Sequence, residues 1–439
     1  MKEQAKGMWH LERETEKAVY LLRVEDNFNK WFPKKAIDGP NEKGTILVES
    51  WFIKKNPLPE ILEERVSLPD KKFGGRWKKG SLSFSKARQY INCPKQYYFS
   101  YEKKIISSVS TAMKFGNVAH SVLETIFACD LDAAKPTSYV KALTRRDWEK
   151  CKFEFETSER KKGKWDDEKI DNVLDQVLWA LTKMTNGRMD SENIKKFQPK
   201  HTESRVFSKD GLLGGIIDAV FIDENNEIKI IDYKTGKSKE GEIDPEHEFQ
   251  GWLYAYLASE EFGKIPKSIE FWYLGSQEIK SIEFDENVIE DLILSLKEVA
   301  AEIKNISGSP EDSFTARPSE KNCKWCDAKP WCKDYQKMVQ DQPWQEEGYG
   351  KSLKGVVLDS QKLVGNKPGA VRVKTEDEKE IVIKGWGQSG KILGSSEKGD
   401  VLFCVDVNIQ HSDFSGALEG IVNDPFSIIV NNKILQELM

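Results

Sequence analysis

The chain has 439 residues, with 67 lysines and arginines against 72 aspartates and glutamates, for a net charge of -5. Its 38% hydrophobic content suffices for a buried core, and the length suits about three domains. No apolar run is long enough to span a bilayer, and the charged start MKEQAKGMWHLERETEK is not a secretory signal, so a cytoplasmic protein without a membrane partner is expected. The acidic balance means that any nucleic-acid binding must come from local patches.

In chain order, residues 1–75 read as a small β-rich module, with strand-like runs at 18–24, at Trp31 and Phe32, and at 45–53 around the turn Asp38-Gly39-Pro40. The basic connection KKFGGRWKKG leads into SLSFSKARQYINCPKQYYFSYEKK, a helix started by Ser83 or Ser85 with Cys93 near its end. Both stretches interleave basic and aromatic residues, which suits a channel that tracks a nucleic-acid backbone or the face of an amphipathic helix. Helical periodicity covers 116–127 and much of 137–190. Two strands at 216–222 and 228–233 follow, then a helix at 246–257, a strand at 268–274 and a helix at 286–305. This predicts an α/β domain over 81–338, a central mixed sheet flanked by helices. After a linker with Pro343, Gly348 and Gly350, short strands at 353–358, 370–373, 380–384 and 401–407 predict a small β-barrel over 350–439, of the oligonucleotide-binding (OB) type. Trp386 and Phe414 are either base-stacking platforms or core aromatics of a protein-docking barrel.

The densest chemistry lies in GGIIDAVFIDENNEIKIIDYK, residues 214–234. Side chains alternate along a strand, so Asp232 and Lys234 share a face and Tyr233 points away. If the hairpin loop is odd-numbered, Glu224 to Asn226, then Asp218 lies opposite Asp232; an even loop separates them. Two carboxylates are hard ligands suited to Mg²⁺ or Mn²⁺, and a lysine beside them can stabilise a phosphoryl transition state. His120, within GNVAHSVLE, is a competent further ligand on a helix. Gln250 and Tyr254, at i and i+4, can both donate to phosphate. Cys323, Cys326 and Cys332 form C-x2-C-x5-C, and Cys93 would complete a four-thiolate zinc or iron-sulfur site. Cys129, Cys151 and Cys404 read as apolar fillers.

The ordered set Cys93, His120, Glu203, Asp218, Asp232-Tyr233-Lys234, QGWLY from Gln250 to Tyr254, and Cys323, Cys326 and Cys332 resembles the PD-(D/E)XK nucleases of the RecB-like branch. More narrowly, it is similar to the iron-sulfur exonucleases associated with CRISPR loci and to AddB-type nuclease domains. The resemblance covers about residues 81–335 and implies a restriction-endonuclease-like core. It implies a divalent metal held by His120, Asp218, Asp232 and the Tyr233 carbonyl, with Glu203 in support, Lys234 catalytic, and Gln250 and Tyr254 contacting substrate. It also implies a structural [4Fe-4S] cluster on Cys93, Cys323, Cys326 and Cys332, with zinc as the alternative occupant. The proline usual before the first aspartate is replaced by Ile217. The function so implied is a metal-dependent DNA exonuclease on single strands or ends, in recombination and repair, phage replication or CRISPR-type processing, with a helicase or recombinase as partner. The competing expectation is a non-catalytic nucleic-acid-binding or assembly subunit that keeps the fold.

Overall fold

The computed structural model describes residues 2–5, 9–23, 28–41, 45–55, 77–78, 80–105, 107–132, 134–238, 243–282, 286–339, 347–412, 415–431 and 433–434. Phe414 and most of KKFGGRWKKG lie outside them. Among the described residues, no helix is long and apolar enough to cross a membrane. The chain divides into two compact units, Met1–Phe84 with Val109–Ala301, and Ser85–Ser108 with Glu302–Met439.

The first unit opens with two three-stranded sheets, one built from Trp9–Glu14, Ala18–Arg23 and Phe28–Pro33, the other from Lys2–Gln4, Leu47–Glu49 and Ile37–Asp38. Trp9, Leu21, Phe32, Ile46, Val48 and Phe52 share one small core. The run expected as a strand over 45–53 changes character: Ser50–Lys55 is a helix. Val48 and Phe52 are both buried, and a helical turn brings two residues four apart to one side, which continued alternation would also do only at greater reach.

Five strands make the main sheet: β1 (His201–Phe207), β2 (Gly214–Ile222), β3 (Ile228–Lys234), β4 (Ser268–Tyr273) and β5 (Glu278–Ile282), in the spatial order β5-β4-β3-β2-β1. The sheet is mixed, since β3 and β4 run parallel and the other pairs antiparallel. Helices α1 (Thr111–Thr125), α2 (Pro136–Glu156) and α3 (Ile170–Met184) bury Val118, Val122, Tyr139, Leu143, Val177 and Leu181 in one core with Ala219, Ile231, Tyr233 and Trp272 of the sheet. Tyr233 therefore points away from Asp232 and Lys234, as alternation requires. Helix α4 (Pro245–Phe262) starts at Asp244, whose side chain accepts from the Glu246 N–H, and ends at Gly263 in the left-handed region. It lies close to the sheet because Gly215 and Gly251 leave room: a Cβ on Gly215 would come within 2.8 Å of the Tyr254 ring, and one on Gly251 within 2.5 Å of Ile282.

The second unit contains a closed five-stranded barrel. Its strands are β6 (Gly348–Gln361), β7 (Gly369–Thr375), β8 (Glu380–Gly385), β9 (Val401–His411) and β10 (Leu418–Ile421), in the order β6-β7-β8-β10-β9, with β9 pairing back onto β6. Val357, Val371, Ile383, Leu402, Cys404 and Val407 fill it. A helix that the sequence did not announce, α5 (Gly387–Ser395), sits between β8 and β9. It fits against β7 only because Gly369 has no side chain, since a Cβ there would overlap the Gly390 carbonyl at 1.8 Å. Trp386, just before α5, is 45% exposed and so is not a barrel-core aromatic.

Candidate functional site

The hairpin between β2 and β3 decides where the carboxylates fall. The Asp223 N–H donates to the Glu227 carbonyl and the Asn226 N–H to the Asp223 carbonyl, leaving Glu224 to Asn226 as a three-residue loop. Asn226 takes the left-handed conformation that such a loop needs. The Asp223 carboxylate accepts from the N–H groups of Asn225 and Glu227. The loop is odd, and the pairing of Ala219 with Ile231, continued by one residue, sets Asp218 opposite Asp232. On the other side of β2, Asp218 falls between the pairs Ile217–Ser204 and Ala219–Thr202, hence opposite Glu203. Asp232 is in turn registered with Phe271 of β4. A row of three carboxylates thus crosses three adjacent strands.

Glu203 sits in that row with φ +46°, a left-handed backbone rarely adopted by a residue with a side chain. Such conformations cost about 1–3 kcal/mol and concentrate at functional sites. His120, one turn beyond Gly116 on α1, brings Nδ1 to 3.5 Å from an Asp218 oxygen and 3.8 Å from a Glu203 oxygen. His120, Glu203 and Asp218 offer ligand atoms that all lie within 4.8 Å of one another. Asp232 is not in that trio; its carboxylate turns to Lys234, whose Nζ is 2.7 Å away. Gly116 has its own reason to be glycine, since a Cβ there would press on the Thr235 hydroxyl at 2.9 Å.

Depth and charge separate these groups. The side chains of His120 and Glu203 each stay 29% exposed, whereas Asp232 is 3% exposed. Burial lifts the Asp232 carboxyl to about 6, with Lys234 pulling it down and Asp218 adding to the rise. For His120, burial alone would lower the imidazole, but the Asp218 and Glu203 carboxylates outweigh it and hold it well above the usual histidine range. Lys234 Nζ donates to Gln250 Oε1 at 2.6 Å, and Gln250 Nε2 donates to the Tyr254 hydroxyl at 2.8 Å. Burial, reinforced by Asp232 and Asp218, keeps Tyr254 a neutral phenol. The Asp218 carboxylate accepts from the Tyr233 N–H at 2.7 Å, which fixes it against β3.

The donor set suits a hard divalent cation. Asp232 Oδ2 is buried, and its neighbour is the Lys234 ammonium, 2.7 Å away. A carboxylate buried this deeply needs a cation beside it, which Lys234 supplies and a metal ion would reinforce. Three carboxylates and one imidazole in one place match Mg²⁺ or Mn²⁺ better than a soft metal.

Phe271 and His247 flank Lys234 and Gln250 as well, although the sequence gives little sign of either. Lys234 Nζ lies 5.6 Å over the Phe271 ring, and His247, one turn before Gln250, stacks on that ring and hydrogen-bonds to the Tyr273 hydroxyl at 2.8 Å. Phe271 sits in an apolar run, SIEFWY, whose pattern carries no sign of a site. A histidine at i−3 from Gln250 was the one available clue.

In the second unit, Cys93, Cys323, Cys326 and Cys332 all line one small cavity. Cys93 follows the helix Phe84–Asn92, and its sulfur accepts from the Arg317 N–H at 3.4 Å. The Cys332 sulfur accepts from the Tyr335 N–H at 3.4 Å. Burial pushes the Cys326 thiol up to about 12 and raises Cys323 and Cys332 as well, the charge of Cys93 adding to the rise in all three. No disulfide joins them. Lys329, between Cys326 and Cys332, is buried and its Nζ pairs with Asp406 of β9. Tyr335 and Val339 pack with Phe403, Val405 and Ile429, with Cys323 and Cys332 at the margin of this cluster. Cys129, Cys151 and Cys404 are buried elsewhere as apolar fillers.

No curated protein matches the chain. Among solved structures, it is similar to a "putative exonuclease" from Eubacterium rectale, at 10% identity and TM-score 0.36, over 64% of this chain and 97% of the other. It is also similar to a replication factor A related protein from Methanobacterium thermoautotrophicum, at 21% identity and TM-score 0.16, over 20% of this chain and 94% of the other. The family model described as the PD-(D/E)XK nuclease superfamily matches residues 81–333, a span that holds the carboxylate row, Lys234 and all four clustered cysteines. With more than half of its length matched, this chain belongs to the PD-(D/E)XK nuclease superfamily.

Proposed function

We propose that the protein is a metal-dependent deoxyribonuclease of the RecB-like branch, an exonuclease acting on single-stranded DNA or on DNA ends. The observation that carries this reading is the row Glu203, Asp218, Asp232, closed by His120 at one end and by Lys234 at the other. His120, Asp218, Asp232 and the Tyr233 carbonyl would hold Mg²⁺ or Mn²⁺, with Glu203 in support. Such an ion supplies Lewis acidity toward a phosphodiester and charge to offset the developing anion.

The chain's own groups complete the chemistry. Lys234 is held between Asp232 and Gln250, so its ammonium is aimed without the entropy loss of a free lysine. It offers positive charge to a phosphoryl transition state and N–H groups to orient an attacking water. Tyr254, kept protonated, remains a donor to phosphate, and Gln250 ties it to Lys234.

Cys93, Cys323, Cys326 and Cys332 hold a structural [4Fe-4S] cluster on this reading. Tetrahedral zinc on the same four thiolates is the alternative occupant. The proposed parts are a β-rich module over 1–75, the nuclease domain over 81–338 and the barrel over 350–439. The strand order of the barrel, with its helix between the third and fourth strands, supports the OB-like reading. Cytoplasmic action beside a helicase or recombinase fits these parts.

A panel of end-labelled linear single strands, linear duplexes and circular single strands, each with Mn²⁺ or with chelator, tests the reading. Linear substrates should be degraded from an end only when metal is present, and circles should survive. Cutting of circles would make the enzyme an endonuclease, and no cutting of any substrate would leave a binding subunit.

A further inference from the structure

The segment that brings three of the four cysteines together also carries an aromatic side chain that the fold does not use. Trp325, between Cys323 and Cys326, is 71% exposed, the most of any large hydrophobic side chain among the described residues. Leaving an indole in water forgoes a burial gain, and an exposed aromatic with free cations beside it is the combination that single-strand contacts use. Charge does accompany it. Lys324 Nζ lies 5.4 Å over the indole ring. Lys321, Lys324, Lys333 and Lys337 are all exposed, and none of them makes an ion pair with an acidic group among the described residues.

The cations of the barrel strands behave differently. Lys354 pairs with Glu376, Arg372 with Asp359 and Glu380, Lys374 with Glu378, and Lys384 with Glu419. In a chain of net charge -5, a polyanion is drawn to unpaired cations rather than neutralised ones. The barrel strands are therefore the poorer phosphate contact, and the cysteine segment the better.

The backbone of the segment is also hydrogen-bonded. The Cys323 N–H donates to Ser319, Lys324 to Glu320 and Cys326 to Cys323, so the backbone on both sides of Trp325 is tied in short turns. A pre-ordered aromatic loses little entropy when something stacks on it.

We infer that Trp325, with the exposed lysines around it in sequence, is a contact for single-stranded nucleic acid, the indole stacking on a base and the lysines meeting phosphates. Every base has a π-face, so this contact is tolerant of sequence. The cysteine site then has a second purpose, which is to hold the platform in place. The ligand class rests on the nuclease reading, but the contact itself does not depend on cleavage.

The test is equilibrium binding of a fluorescein-labelled oligothymidylate to the full-length protein, in an Asp232→Ala background, followed by anisotropy over a range of salt. Trp325→Ala should weaken binding at least about fivefold, since stacking is worth ~1–3 kcal/mol per base, and Trp325→Tyr should retain most of the affinity. Replacing Lys321 and Lys324 by alanine should flatten the dependence of log affinity on log salt by about 0.7 for each phosphate that is no longer neutralised. Because Trp325 is exposed, an unchanged far-UV spectrum and metal content will accompany the weaker binding. Equal binding by Trp325→Ala and its parent overturns the inference, and points to a protein partner if that variant instead loses a co-purifying chain. A wild-type protein that binds the oligomer and never cuts it overturns the nuclease reading while leaving the contact standing. Cleavage-competent protein whose binding ignores Trp325 does the reverse.

Discussion

Asp232 is 3% exposed, has the Lys234 ammonium 2.7 Å from one oxygen, and carries a carboxyl lifted to about 6 because burial disfavours its charge. In the metal-free protein this shift acts against the fold. The folded value lies above the unfolded 3.8, so the folded state holds the proton more tightly and stability falls as pH rises from about 3.8 through about 6. His120 is shifted upward too, and its proton competes with a cation for the same nitrogen. Both shifts lead to one expectation. Mn²⁺ affinity, measured by calorimetry, should rise between about pH 5 and pH 8, with protons released on binding. An affinity that is flat or falling over that range would mean that neither group is a ligand. Glu203 belongs to the same scale. Its left-handed backbone was invisible in HTESRVF, and only the family resemblance brought it into the site.

Among the elements, the hairpin was the most legible, because a three-residue loop and strict alternation left one register that faces Asp218 toward Asp232. The edges of the sheet were not. β1 and β5 have half-exposed patterns with polar residues on both sides, so HTESRVF and EIKSI lack the alternation that marks a strand with one dry face. The helix α5 hid for a different reason: GQSGKILGS reads as a turn, and its glycines are there for close approach to the barrel. Close approach also governs α4. Alanine at Gly251 would gain helix propensity worth ~1 kcal/mol, yet its Cβ would meet Ile282 at 2.5 Å and Phe271 at 3.1 Å. Overpacking of a buried contact costs about 1–3 kcal/mol, so Gly251→Ala should be net destabilising in urea unfolding and should slow cleavage by shifting Gln250 and Tyr254. A more stable variant would show that the helix has slack against the sheet.

For the whole molecule, the sequence joined Cys93 to residues 323–332 across more than two hundred intervening positions, and the four thiols do share one compact unit. That unit also contains the barrel, through the packing of Tyr335 and Val339 on Phe403 and Val405, which spacing and composition did not foretell. Tertiary contacts of this kind depend on which faces meet, and a single sequence states only which residues are apolar. Protein purified without oxygen should be brown and contain iron, and Cys93→Ala should lose the colour together with thermal stability, because a cluster binds the folded state alone. Colourless protein with one zinc would assign the thiols to zinc instead. Whichever metal the thiols hold, the nuclease assignment stands on the carboxylate row. Its most direct test is the initial rate of Mn²⁺-dependent degradation of an end-labelled linear strand by wild type and by Asp232→Ala, with equal folding verified by circular dichroism. The account predicts that the substitution lowers the rate by about a hundred- to a thousandfold, as loss of a group central to transition-state electrostatics does. Metal-dependent cleavage that survives in Asp232→Ala would contradict it.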